Sequence, residues 1–368
     1  MRCLLRTLVI AAAASAVQAA TPIYLSPDVP TDLTPPTILP WTIARYVAGP
    51  PAYAIVLGIP GSPHVDAIHK LDKPGAWLFS VESASDLGGF LPAVDSRDVV
   101  RFDPPSTYTK IFCEDSVTGA IPASSNVDAL LLNGGDAGEL WVSFDVPTTI
   151  GATFEPGDLV AYRRTGAGCA GWTIAPVNPV FDASAAGTGI PLSSNVIGAE
   201  KIGSLILVTL DVPTDLGPPG PTTYTSGQIL AWSGAAWSVW ETLTGWPGSS
   251  GIDGLSWVGN PGRVDTLTVN KSGGNLAISW TAGCSEGGTD YGIYEGVIGS
   301  WYSHVGIVCT DAGADRTETF APAAGNRYYV VVPRNAAAEG SYGARSSGIE
   351  RPAGGAACVA TQVVTPCP

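Results

Sequence analysis

Basic residues are scarce in this sequence. Eighteen Lys and Arg stand against 32 Asp and Glu, giving a formal net charge of −14. Nucleic acid and anionic membrane surfaces are held by basic patches, so neither is an expected partner. Charged residues are only 14% of the chain and form no run, so the acidity is spread thinly over the surface. No two cysteines take the Cys-x-x-Cys spacing of a zinc site. Beyond the N-terminus no apolar run approaches the roughly 20 residues that cross a bilayer, and no membrane span is expected. Helix formers are few, whereas 45 Gly and 31 Pro are present. That composition predicts a turn-rich, all-β protein, and the length suits two domains.

Residues 1–19 have the plan of a secretory signal peptide. Arg2 and Arg6 form a basic start, Leu8 to Ala14 an apolar centre, and Val17-Gln18-Ala19 a small-residue cleavage site. Cleavage there would remove two Arg and Cys3, take the formal charge from −14 to −16 and leave six cysteines. The expected location is therefore secreted, extracellular or periplasmic, where an even cysteine count reads as disulfides.

One segment recurs four times: Ile23–Leu33, Leu78–Leu87, Leu140–Ile150 and Leu207–Leu216. In each, an apolar strand carries Ser or Thr, an acid follows two residues later, and an aliphatic residue comes five after the acid. The acids are Asp28, Glu82, Asp145 and Asp211, spaced by 54, 63 and 66 residues. Three more short strands follow each opening strand. The second has an aliphatic-to-aromatic form, as in Val99-Val100-Arg101-Phe102. The fourth carries an acidic–small dipeptide in three of the four units: Asp66-Ala67, Asp128-Ala129 and Asp253-Gly254. Four antiparallel strands per unit over residues 22–262 predict a radial, propeller-like domain. The phase predicts closure. The first opening strand has no fourth strand before it, and Ile252–Trp257 has no opening strand after it, so these two should pair. Two packed β-sandwiches of two units each are the alternative.

The layout resembles the hemopexin-type four-bladed propeller, in which Asp-Ala strands recur once per blade. The units here are longer and lack the aromatic pattern after Asp-Ala. Arg97–Asp103 and Glu155–Val160 are also similar to an uncharacterised repeat of bacterial secreted proteins, which implies no activity.

Residues 263–353 change pattern. Seven short strands are predicted: Leu267–Val269, Leu276–Trp280, Tyr291–Tyr294, Val305–Cys309, Thr317–Phe320, Arg327–Val332 and Ser341–Gly343. Trp280 ending the second and Tyr328-Tyr329 opening the sixth resemble a fibronectin type III sandwich. The stretch Glu339–Gly343 with Ser347–Pro352 resembles a signature at the ends of many bacterial secreted proteins. Residues 354–368 form a cysteine-containing tail. Local placement pairs Cys284 with Cys309 and Cys358 with Cys367. Cys113 and Cys169 remain, in third-strand regions of successive units, where a bridge between neighbouring blades is plausible.

Each candidate site has a structural counterpart. Asp28, Glu82, Asp145 and Asp211 would ligate Ca²⁺ if they faced a common axis. The favoured reading is that each accepts backbone N–H groups of its own turn, and no cofactor is expected. His64, His69 and His304 read as solvated loop and strand-edge residues, not ligands. Gly166-x-Gly168-x-x-Gly171 precedes a strand, not a helix, so no dinucleotide site follows. Trp240 and Trp246 are the indoles not assigned to repeat core positions, and are candidates for ligand stacking. The expected function is a secreted, non-enzymatic binding or surface-interaction protein with an extracellular protein or glycan ligand. The alternatives are a polysaccharide hydrolase using a carboxylate pair and a structural subunit of an extracellular assembly.

Overall fold

The computed structural model describes residues 22–363, apart from 34–35, 48–51, 72–74, 114–120, 134–137, 167, 170, 186–188, 203–204, 217–222, 258–260, 265, 285–287, 289, 311–315, 336–337 and 345–348. The segment read as a signal peptide, and Cys367, lie outside the described residues. Among the described residues there is no helix, and so none long and apolar enough to cross a membrane.

The first strands are β1 (Ile23–Pro27), the short pair β2 (Thr31–Asp32) and β3 (Thr37–Ile38), β4 (Thr42–Tyr46) and β5 (Tyr53–Gly58). Next come β6 (Val65–Lys70), β7 (Trp77–Val81), β8 (Val99–Asp103) and β9 (Thr107–Phe112). A third group is β10 (Val127–Asn133), β11 (Glu139–Phe144), the pair β12 (Thr148–Ile150) and β13 (Ala152–Phe154), β14 (Val160–Arg164) and β15 (Trp172–Ile174). A fourth is β16 (Val196–Ile202), β17 (Leu205–Leu210), β18 (Gln228–Trp232) and β19 (Trp237–Thr242), followed by β20 (Ile252–Trp257).

These strands make four four-stranded antiparallel sheets, ordered β20-β1-β4-β5, β6-β7-β8-β9, β10-β11-β14-β15 and β16-β17-β18-β19. The first sheet joins the two ends of the repeat region. Leu25 pairs with Leu255 and Tyr24 with Ser256, as the phase of the repeat predicts. The leading strands β6, β10, β16 and β20 pack against one another in a closed cycle.

Each sheet is buried on both faces, which explains opening strands as apolar as Trp77–Val81. Successive side chains of a strand point to opposite faces. Trp77, Phe79 and Val81 therefore enter a core shared with the first sheet, and Leu78 one shared with the third. Further cores fill the space between the third and fourth sheets and between the fourth and first. The bridge Cys113–Cys169 ties the outer margins of the second and third sheets.

The recurring Ser/Thr of the opening strand is a staple between sheets. Ser80 donates to the Val127 carbonyl at 2.8 Å, Ser143 to that of Val196 at 2.7 Å, and Thr209 to that of Ile252 at 2.8 Å. Ser26 instead donates to carbonyls within its own sheet's connection, at Pro40 and Thr42.

The remaining strands are β21 (Leu267–Ser272), β22 (Asn275–Trp280), β23 (Asp290–Val297), β24 (Ser300–Val308), β25 (Thr317–Phe320) and β26 (Arg327–Arg334). They form two three-stranded sheets, β21-β22-β25 and β24-β23-β26. Ile278 and Trp280 of one meet Tyr291, Ile293 and Val331 of the other in a shared core.

Three expectations for this region are corrected. Ser341–Gly343 is not a strand. After Gly340 donates to Pro333, Ser341 turns to the Gly262 carbonyl, and Gly343 takes a left-handed conformation at φ 80°. Cys309 pairs with Cys358, not Cys284, because the segment around Cys358 lies on the outer face of β23-β24. Cys284 is also disulfide-bonded. Finally, Cys358 does not pair with Cys367, since its sulfur is bonded to Cys309. Tyr294, Val332, Tyr342 and Cys358 make a second small core, organised on the buried Glu339 carboxylate, which accepts from the hydroxyls of Tyr294 and Tyr342 and from Val359 N–H.

Candidate functional site: an acidic ring and an aromatic cleft

The four repeated acids gather at one end of the cycle of leading strands, each tied to the residue just before a leading strand. Asp28, Asp145 and Asp211 accept from the N–H groups of Gly251, Asn126 and Asn195 at 2.7–2.8 Å. Their own N–H groups donate back to the carbonyls of the same three residues. Glu82, one methylene longer, holds the His64 ring instead, at 2.6 Å from Nδ1. Asp145 and Asp211 also accept from the N–H groups of Val146 and Val212 in their own turns, as expected, so these acids hold their turn and clamp a neighbouring strand as well. The three aspartate units each add a hydroxyl contact: Thr31 with Ser250, Ser125 with Thr148, and Ser194 with Thr214.

Inside this outer ring lies a second one. Every leading strand has a bulge at its second residue, which is Asp66, Asp128, Ile197 or Asp253. A bulge re-aims its side chain. Asp66 accepts from the Asn126 amide, Asp128 from the Asn195 amide, and Asp253 from His64 Nε2 at 3.0 Å. At the fourth junction Gly251 sits against Ile197, without charge.

Burial is the main influence on these carboxyls. It raises Asp66 well above the usual carboxylate range, helped by the charges of Asp128 and Asp253. Asp128 is pushed up to about 8 by burial and by the charges of Asp145 and Asp253, against the bonds from Asp66 and Asn195. Burial lifts Asp253 to about 6, against the pull of His64. For His64 burial opposes protonation, but Asp253 and Glu82 outweigh it and the net shift is upward. Asp66 and Asp128 are hydrogen-bonded to each other and share a proton, and with Asn126, Asn195 and His64 they form a clasp between sheets. Among the described residues no group of three or more His, Cys, Asp or Glu is arranged to hold a metal ion.

The histidines are not solvated as expected. His64 bridges Glu82 and Asp253, two acids of different sheets. His69 lies at 3.3 Å from the buried Glu200 carboxylate, which also accepts from Ser256 and Trp257. His304 is only 1% exposed, between the rings of Tyr328 and Tyr342. The candidate indoles are not free either. Trp246 is 8% exposed and donates to the Ser250 carbonyl, and Trp240 packs edge-on against Trp257.

An exposed indole with a second exposed ring beside it lies instead on the C-terminal sheets, where sequence reasoning assigned none. Trp301, at the start of β24, is 63% exposed. Beside it Tyr302 is 40% exposed and has φ 68°, a conformation that costs a bulky residue energy. Tyr328 crosses β23 to lie 5.5 Å from the Trp301 ring. Gly296 permits this, since a Cβ there would stand 2.2 Å from the Tyr328 ring. Trp301, Tyr302, Tyr328, Tyr329, Tyr342 and Arg351 line a cleft of about 500 Å³ that runs along β26. The run Ile298-Gly299-Ser300-Trp301-Tyr302, a turn with aromatics past it, was the available signal. Ser-Ser-Asn-Val at 124–127 and 193–196 likewise marked the residues of the acidic ring.

No family model matches the chain, and no curated protein matches it. Among solved structures it is similar to YCF48 bound to D1 peptide, at 10% identity over 72% of this chain and 69% of that one, with a TM-score of 0.24. It is also similar to the extracellular domain of the one-component system BT4673 from B. thetaiotaomicron, at 10% identity and a TM-score of 0.22. There the alignment covers 84% of this chain but only 41% of the other.

Proposed function

We propose that this chain is an exported, non-enzymatic binding protein whose ligand is taken in the cleft beside Trp301. In this reading the four sheets are the blades of a four-bladed propeller closed by β20, and β21–β26 form a fibronectin type III-like sandwich. Disulfides fit an oxidising compartment, and export through residues 1–19 belongs to the same reading.

The observation that carries the proposal is an exposed indole next to a tyrosine held at positive φ, on the rim of an open cleft. Strained residues persist where the surroundings hold them, and they cluster at ligand sites. The hydrolase alternative needs a carboxylate pair flanking a bond, whereas the acids of the ring are engaged with backbone, Asn and His partners. Ca²⁺ at the repeated acids forms no part of the reading.

The test is residue-level mapping on the full mature chain, titrated with fractions of extracellular polysaccharide and protein. Signals of Trp301, Tyr302 and Tyr328 should move first, and dyed polysaccharides should not be cleaved. Perturbation centred on Asp66 and Asp128 with the cleft unmoved, or turnover lost on Asp128→Asn, would overturn the proposal.

A further inference from the structure

We infer that the cleft accepts an extended peptide segment of a partner polypeptide, added as a strand to the free edge of β26; this rests on the cleft being the binding site. Among the described residues β26 has one sheet partner, β23. The direction of its free groups follows from the pairing. The Pro333 carbonyl accepts from Gly340, and at the other end of the pairing the Ile298 N–H donates to the Asn326 carbonyl, one step beyond Val297–Arg327, so the bonded pairs are those with Asn326, Tyr328, Val330, Val332 and Arg334. Pro333 therefore faces away from β23. The register between β23 and β26 is unbroken from Asp290–Arg334 to Val297–Arg327. Alternate residues of an antiparallel strand bond to the same side, so Val331 and Tyr329 also direct their N–H and C=O groups outward. The position beside them is the one the expected strand Ser341–Gly343 would take. That segment leaves after Gly340, drawn by Tyr342 onto the outer face.

The polar chemistry of the cleft selects the occupant. Its side-chain groups already have protein partners: Tyr328 with His304, Tyr329 with Glu295, Tyr342 with Glu339, Ser341 with Glu350, and Arg351 with the Tyr342 carbonyl. A polyol would find few free donors or acceptors. The outward main-chain groups of Tyr329 and Val331 are what remains, and another backbone satisfies such groups best. The walls also suit a strand. Val264 and Leu267 flank one side and the Trp301–Tyr328 pair the other, so alternate side chains of an added segment would meet apolar surface on both faces. The partner segment is therefore extended and apolar at successive positions.

The test selects a phage-displayed random heptapeptide library on the full mature chain, then follows hydrogen exchange with the enriched peptides synthesised. Binding should slow exchange of the Tyr329 and Val331 amides about tenfold or more. N-methylation of alternate peptide amides should weaken binding about tenfold or more, since it removes main-chain hydrogen bonds. Val331→Pro removes an outward N–H at an edge position that tolerates proline and should weaken binding; because Val331 also packs in the core against Ile278 and Trp280, its melting temperature should fall as well. If that variant unfolds, Leu267→Glu, which charges the facing wall, serves in its place.

Failure to enrich any peptide, protection confined to other segments, or indifference to N-methylation overturns the proposal. So does a soluble oligosaccharide that moves Trp301 without protecting those two amides, although the cleft then stands as the binding site. Protection that appears with protein concentration alone assigns the edge to a second copy of this chain and likewise overturns it.

Discussion

Asp128→Asn should make the repeat region more stable at neutral pH and remove much of its pH dependence. The folded protein pushes this carboxyl up to about 8, far above the ordinary aspartate range, chiefly through burial. A raised folded pKa contributes stability below the unfolded value, and that stability is lost as pH rises through the folded one. Between pH 5 and 7 the folded state keeps the proton and the unfolded state does not. Stability then falls by about 1.4 kcal/mol per pH unit for this group alone. Over two units that is on the order of 3 kcal/mol, or about 5–10 °C in Tm for a region of this size. Asp66 and Asp253, raised by burial, and His64, raised by its acid partners, act in the same direction. His304, lowered by burial, acts oppositely but lies in the C-terminal sheets. Asparagine can accept from Asn195 and donate to Asp66, and it does not titrate. The assay is thermal unfolding followed by circular dichroism from pH 5 to 7.5. Wild type should lose stability steadily, and Asp128→Asn should lose it less steeply and melt higher at pH 7. A wild-type Tm that is level or rising over this range, or a variant with the parental slope, would refute the reasoning.

Two other perturbations probe separate parts of the molecule. Ser143→Ala leaves the Val196 carbonyl without its donor between the third and fourth sheets, and should cost about 1–3 kcal/mol by chemical denaturation; an unchanged midpoint would show that the recurring hydroxyl is not a staple. Gly296→Ala drives a methyl into the Tyr328 ring. It should cost about 1–3 kcal/mol as overpacking and expose Trp301 further, read as a red shift and stronger iodide quenching of tryptophan emission; an unaltered spectrum would count against the Tyr328–Trp301 contact.

Chain order made much of the architecture legible. The hydroxyl, acid and aliphatic positions recur because every unit must solve the same problem of tying a strand to the next sheet. The missing partners at Ile23 and at Ile252–Trp257 specified their own pairing, since an unpaired edge at each end has one shared solution. The roles of the acids were less legible. Asp145 serves its own turn at Val146, as its place in the repeat suggested, but it also accepts from Asn126, nearly twenty residues upstream, which the repeat did not reveal. The fate of Asp66 depended on a bulge that turns it toward Asn126 of another sheet, and strand periodicity carries no information about such a bulge.

The disulfides show the same division. Local spacing favoured Cys284–Cys309, but the chain around Cys358 lies on the outer face of β23-β24, where the Cys358 N–H donates to the Tyr294 hydroxyl and its sulfur reaches Cys309. Aromatic exposure was equally a tertiary outcome. Trp246 and Trp301 are the same residue type in similarly Gly-rich surroundings. The first is buried against Tyr53 between two sheets, while the second stands exposed at a sheet margin beside Tyr328. The sequence by itself determined the strands, their repetition and the closure, because those follow from local periodicity and the need to pair backbone groups. Only the tertiary structure decided which acids share protons, which cysteines meet and which indoles face solvent, because each depends on which distant surfaces are brought together.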